Sequence, residues 1–252
     1  MSLVNVEDHG EIRHLILNRP EKRNAFNGDF VDAVGEALRA AANDTSVRCV
    51  VIRGEGKVFS AGMDLLELAA IGQSPEHLRE FRNRCILAWN IAEEMTKPTI
   101  AQIHGGCFGG AMELALACDL RVIASDATMS IPEVRFGLVP DVGGSSRLPA
   151  VVGLGRAKDL VLTGRAVQAD EAERIGLVNR VAPPEQLAAA TQALIDELLL
   201  GFPVPQGLAK RLLDSAAKPA LALTLEQEAM AQEVCAATLA NTVREAALSA
   251  AQ

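Results

Sequence analysis

The chain has 252 residues, a formal net charge of −8, 49% hydrophobic residues and 22% charged residues. That length buries a full core without metal or disulfide, and the composition excludes a disordered chain. With no tyrosine, one tryptophan and an acidic balance, a basic face interleaved with stacking aromatics for nucleic acid is excluded, so an anionic ligand needs a local cluster of positive charge. Five cysteines (Cys49, Cys85, Cys107, Cys118, Cys235) show no CxxC spacing and an odd count, which fits reduced thiols rather than a zinc site or a disulfide framework. His9, His14, His77 and His104 lack metal-ligand spacing. The opening residues MSLVNVEDHGEI hold no basic stretch followed by an apolar run, and no segment approaches the roughly 20 apolar residues of a membrane span. The expectation is a soluble cytoplasmic protein with no membrane or nucleic-acid partner.

From Val4 to Asn18 apolar and polar residues alternate around His9-Gly10, which predicts a hairpin. A helical pattern follows at Asp29 to Ala42, then an apolar run at Val47 to Ile52 that reads as a buried strand. Pro75 to Met95 and Gly110 to Cys118 read as helices, Thr99 to Ile103 and Leu120 to Ala124 as strands. Strands and helices thus alternate through the first two thirds, an α/β plan. Strand signals stop after Asn179-Arg180-Val181, and Pro184 to Leu200, Val204 to Ala217 and Leu221 to Leu239 are helical and rich in alanine and leucine. Their apolar stripes pack either on the chain's own core or on another subunit.

Three stretches carry chemistry. In Gly105 to Cys118, glycines precede a helix whose one carboxylate is Glu113. An acid in a first helical turn suits the helix dipole; the same acid among Ala111, Met112, Leu114 and Ala115 is desolvated, which raises its pKa and makes it a catalytic candidate. Gly110 exposes a backbone N–H that no side chain shields. The second stretch, Phe59 to Leu65, is a glycine-containing loop able to offer another N–H; neighbouring Gly54-Glu55-Gly56-Lys57 lacks phosphate-loop spacing, and Ser60 lacks the surroundings of a nucleophile elbow. The third, Ile131 to Gly144, holds Glu133 and Asp141 in a loop-rich context, where each either opens a helix or acts on a ligand.

Together these stretches resemble the crotonase (enoyl-CoA hydratase/isomerase) superfamily. The likeness runs from Val4 to Leu239 and includes Leu17-Asn18-Arg19-Pro20, Lys22-Arg23-Asn24-Ala25, the Phe59 to Leu65 loop, Gly109-Gly110 with Glu113-Leu114-Ala115, Cys118-Asp119, Pro132-Glu133, and Gly143-Gly144 with Arg147-Leu148-Pro149. It implies a crotonase-like fold of repeated strand-strand-helix units (residues 1–190) and a C-terminal helical trimerisation region (191–252), assembled as a homotrimer or a dimer of trimers. It also implies an acyl-CoA thioester substrate, with coenzyme A as part of the substrate and no cofactor. By the same resemblance the N–H groups of Met63 and Gly110 form an oxyanion hole, and Lys22, Arg23, Ala25, Ser60, Ala61, Asp64, Leu65 and Leu66 line the coenzyme A portion, which supplies local positive charge.

In the family's hydratases both glutamate positions hold one water, and this chain has Glu113 and Glu133 there. The expected reaction is hydration of a 2-enoyl-CoA, with Glu113 as base and Glu133 as acid. Asp141 stands where those hydratases have glycine and resembles the double-bond isomerases, so an enoyl- or dienoyl-CoA isomerase using Glu133 and Asp141 is the alternative. A non-catalytic acyl-CoA-binding or scaffolding relative is a third. The acyl pocket wall is expected between Leu66 and Leu87 and near Phe136.

Overall fold

The computed structural model describes residues 2–71 and 74–250. The expected hairpin forms from β1 (Val4–His9) and β2 (Ile12–Leu17). Helix α1 (Gly28–Asn43) opens on Asn27, whose side chain accepts the Phe30 N–H at 3.1 Å, and it buries Phe30, Val31, Val34, Leu38 and Ala41 at helical spacing. Strand β3 (Cys49–Gly54) begins at Cys49 rather than Val47, because the Val47 N–H closes a turn onto Asp44 O. Next come α2 (Leu65–Ile71) and α3 (Pro75–Glu94), the latter capped by Ser74 Oγ on the His77 N–H.

Strands β4 (Thr99–Ile103) and β5 (Gly106–Phe108) lead into α4 (Gly110–Ala117), and β6 (Leu120–Ala124) and β7 (Thr128–Ser130) repeat the strand-strand step. After a 3₁₀ turn at Glu133–Phe136 come α5 (Gly144–Val152), α6 (Leu154–Thr163), β8 (Val167–Gln168), α7 (Ala169–Arg174) and β9 (Arg180–Ala182). The chain then turns helical as expected: α8 (Leu187–Leu199), α9 (Pro203–Ala217) and α10 (Leu221–Ala250).

A six-stranded sheet runs β1-β2-β3-β4-β6-β9, antiparallel at β1-β2 and parallel elsewhere, and a small sheet runs β5-β7-β8. Each strand-strand step therefore crosses from the large sheet to the small one. The small-sheet strands are two or three residues long and leave no readable period in the sequence.

Apart from Glu113, helix α4 is apolar around its circumference, and it is buried from Ala111 to Ala117, as a helix between layers must be. Its closing carbonyls, Ala115 O and Cys118 O, accept from the buried Arg121 guanidinium at 3.2 and 2.9 Å. Residues 190 and 191 both lie in α8, whose Leu187, Leu194 and Ile195 belong to the main core. Helix α10 packs instead on α3 and α5. Residues 251 and 252 of the expected helical region lie outside the described residues.

Candidate active site

Glu113 occupies the first turn of α4, its N–H bonded to Gly109 O, and is 2% exposed. Its Oε1 accepts two backbone N–H groups, from Val142 at 3.0 Å and Gly144 at 2.8 Å. The approach depends on glycine: a Cβ at position 144 would lie 2.8 Å from that oxygen and 2.5 Å from Ile131 Cδ1. Glu133 begins the 3₁₀ turn after β7, and its Oε1 rests over Gly109 (φ +54), where a Cβ would come within 2.7 Å. Glu133 Oε2 is buried and has no partner among the described residues.

Asp141 does not cap a helix. The N-cap of α5 is Gly143, and the buried Asp141 carboxyl instead faces Arg82 of α3, Oδ2 to Nε 3.8 Å. Glu113, Glu133 and Asp141 line one pocket of about 160 Å³, together with Met63, Gly110, Trp89 and a wall of Leu68, Leu78, Phe81, Phe136 and Leu138. That wall lies between the expected limits, whereas Leu66 and Leu87 themselves point outward.

Crowding carboxyls in a dry space makes each hard to ionise. Burial first, then the charges of Glu133, Asp141 and Glu228, push Glu113 well above the ordinary carboxylate range. Burial lifts Glu133 to about 7. Asp141 also reaches about 7, raised by burial against the opposing pull of Arg82.

Met63 and Gly110 line the same pocket. The loop carrying Met63 is stitched between two segments: Phe26 N–H donates to Gly62 O, Asp64 N–H to Phe26 O, Ser60 N–H to Gly106 O and Phe108 N–H to Ser60 O. Pairing through Gly62 and Asp64 uses the groups on either side of Met63, and among the described residues the Met63 N–H has no acceptor. The Gly110 N–H, at the first position of α4, has none either.

The remaining predicted positions divide. Ala61 lines the pocket. Lys22 and Arg23 are exposed, and Ala25 is buried with its carbonyl accepting from Arg19 Nη1. Ser60 is fully buried, its hydroxyl donating to Asn24 O and accepting the Gly62 N–H, so this side chain builds the loop. Asp64 does likewise, pairing with Arg19 at 2.6 Å and accepting the Leu66 N–H. Leu65 opens α2 and Leu66 is exposed.

Sequence reasoning missed Arg82, Trp89, Glu228 and Gln232. Glu228 Oε2 accepts the Gly143 N–H at 2.9 Å, its Oε1 accepts the Ser146 hydroxyl at 2.6 Å, and Gln232 Oε1 accepts the Val139 N–H at 2.9 Å. None carries a local signal; Arg82 sits among charged residues on a helix that reads as an ordinary solvated face.

The fold is that of the crotonase class. The model of the enoyl-CoA hydratase/isomerase family matches residues 7–246, and the chain belongs to that family. It is 40% identical over 204 residues to the mitochondrial Delta(3,5)-Delta(2,4)-dienoyl-CoA isomerase of Homo sapiens, covering 77% of this chain and 62% of that one. It is 36% identical over 234 residues to a crotonyl-CoA hydratase of Syntrophomonas wolfei, covering 92% and 89%. Among solved structures, an enoyl-CoA hydratase from Bacillus halodurans superposes with a TM-score of 0.89 at 27% identity, over 97% of this chain and 100% of that one.

Proposed function

We propose that the protein is an enoyl-CoA hydratase. The observation that carries this reading is that buried Glu113 and half-buried Glu133 line one pocket with Met63 and Gly110, whose backbone N–H groups have no acceptor among the described residues. The thioester carbonyl accepts from the Met63 and Gly110 N–H groups, and a water sits between the two carboxyls. Burial raises both glutamates, and the neighbouring carboxyls raise Glu113 further. Against that, two N–H donors stabilise charge on Glu113 Oε1 whereas Glu133 Oε2 has no donor, and on this geometry we assign Glu113 the ionised role and Glu133 the proton.

Glu113 then takes a proton from the water as its oxygen bonds to the β-carbon. The π electrons move to the thioester oxygen as an enolate, which returns them to the α-carbon as Glu133 delivers its proton there. Each N–H donor to the enolate oxygen is worth roughly 3 kcal/mol. The exposed Lys22 and Arg23 lie along the coenzyme A portion.

The test is loss of the enoyl absorbance of crotonyl-CoA with wild type, Glu113→Gln and Glu133→Gln. Each variant is expected to lose on the order of 10²- to 10⁴-fold in kcat. Undiminished turnover in both defeats the reading.

Double-bond isomerisation is the second reading, favoured by Asp141: its carboxyl lines the same pocket and titrates near 7, where it is able to exchange a proton with the acyl chain together with Glu133. Dienoyl- and 3-enoyl-CoA substrates separate the two reactions. The row Val204, Leu208 and Leu212 on α9 is apolar and exposed at i, i+4, i+8 spacing, which supports assembly as a homotrimer, alone or as a dimer of trimers; sedimentation measures it.

A further inference from the structure

Helix α5 begins without a cap of its own: Gly143 precedes it and has no side chain to offer. A carboxyl from far along the chain does the work instead. Glu228, 5% exposed on α10, takes the Gly143 N–H and the Ser146 hydroxyl, and one turn later Gln232, 1% exposed, takes the Val139 N–H. The intervening N–H groups of Val142 and Gly144 go to Glu113. The backbone donors of Val139, Val142, Gly143 and Gly144 are thereby divided between a reacting carboxylate and the C-terminal helix, with Asp141 on the same segment.

The helix is anchored to a third partner as well, since Arg82, which faces Asp141, donates through Nη2 to Leu225 O of α10. We infer that Glu228 is a positioning residue for catalysis, clamping the 139–146 segment so that Glu113 and Asp141 are held toward the substrate, and that α10 is for this reason part of the active site.

This inference rests on the enoyl-CoA reading for its kinetic consequence but not for its geometry. A carboxyl held only by backbone donors moves when that backbone moves, and a misplacement of about 1 Å costs on the order of 10²-fold in rate. The charge matters too. Glu228 is faced by Arg147 and Ser146 from α5, by Glu113 from α4 and by Asp141 from the clamped loop, with Glu133 and Arg82 completing the ring around those carboxyls. Its negative charge raises both Glu113 and Asp141, so removing it lets them ionise at lower pH.

Two variants separate geometry from charge. Glu228→Ala removes both; Glu228→Gln keeps an acceptor for the Gly143 N–H, turns its amide N–H₂ toward the Ser146 hydroxyl, which accepts in place of donating, and removes the charge. Glu228→Ala is expected to lower kcat by about 100-fold with little change in KM. Glu228→Gln is expected to recover most of kcat and to shift the pH–rate profile downward.

A readout that needs no substrate comes from Trp89, the chain's one tryptophan, which lines the same pocket. Its fluorescence titration is expected to move to lower pH in Glu228→Gln. Folded variants with wild-type kcat, pH profile and Trp89 titration overturn the inference. A wild type inert on every enoyl-CoA thioester would instead overturn the proposed function, while the titration would still decide the role of Glu228.

Discussion

Arg82 Nε stands 3.8 Å from Asp141 Oδ2, with both side chains almost wholly buried. At that separation the guanidinium attracts the carboxylate without a direct hydrogen bond. It is the main influence lowering the Asp141 titration, against burial, Glu228 and Glu133, which raise it. Arg82→Met therefore moves Asp141 above its present value of about 7. The ionisation limb for dienoyl-CoA isomerisation should shift to higher pH, while hydration through Glu113 and Glu133 should shift much less. Equal shifts in both profiles would mean that Asp141 is not the group distinguishing the two reactions.

The same carboxyl makes stability depend on pH. Folded Asp141 holds its proton to about 7, whereas the unfolded side chain releases it near 3.8. Between those values the folded state binds more protons, so its contribution to stability falls as pH rises through this window and is flat above it. Asn cannot ionise, so Asp141→Asn should remove this fall and gain on wild type above neutral pH. At 1.36 kcal/mol per pH unit the gain is bounded by about 4 kcal/mol. Denaturant midpoints at pH 5 and pH 8 measure it; an identical pH dependence in wild type and variant would refute the burial-driven shift.

Gly144 tests how closely Glu113 is fitted to the loop. A methyl at that Cα would lie 2.8 Å from Glu113 Oε1, 2.7 Å from Pro140 Cβ and 2.5 Å from Ile131 Cδ1. Something must yield, and the carboxyl has the fewest covalent restraints. Gly144→Ala is expected to lower kcat by about 100-fold, with KM less affected because Glu113 is the group displaced. Steady-state kinetics at saturating thioester decide it, and an unaltered kcat would show that Glu113 tolerates displacement.

What the sequence exposed and what it hid divide along the range of the interactions. Gly110 and Glu113 were readable because a helix start, its free N–H and a carboxyl in the first apolar turn are neighbours in the chain. Glu133 and Asp141 were readable as candidates through family resemblance, but only packing told a helix cap from an Arg82 partner. Glu228 and Gln232 were hidden because their role exists only once α10 lies against α5, and nothing in an alanine-rich helix says which backbone donors it will meet. Helix α8 is a related case: helical periodicity marks it, but Leu194 and Ile195 packing into the main core is a tertiary fact.

Arg147 shows how far the site depends on charges outside the pocket's reacting set. It is fully buried in α5 and donates to Glu93 Oε2 through Nη2 at 2.8 Å and Nε at 3.1 Å, to Asn90 Oδ1 at 2.7 Å and to Val142 O at 3.2 Å. Glu93 also pairs with Lys218, so the carboxylate keeps one cation when Arg147 is removed. Breaking a buried pair from one side costs about 3–5 kcal/mol, because the partner is left charged in a dry space. With Lys218 still present, Arg147→Met should fall at the lower end, about 3 kcal/mol.

The Val142 contact adds a kinetic consequence. Val142 N–H holds Glu113 while Val142 O is held by Arg147, so kcat should fall along with stability. The double variant Arg147→Met/Glu93→Met separates the two effects. Removing both charges should restore much of the denaturant midpoint without restoring kcat, since Val142 O stays unheld. Recovery of kcat in step with stability would show that Arg147 serves the fold alone.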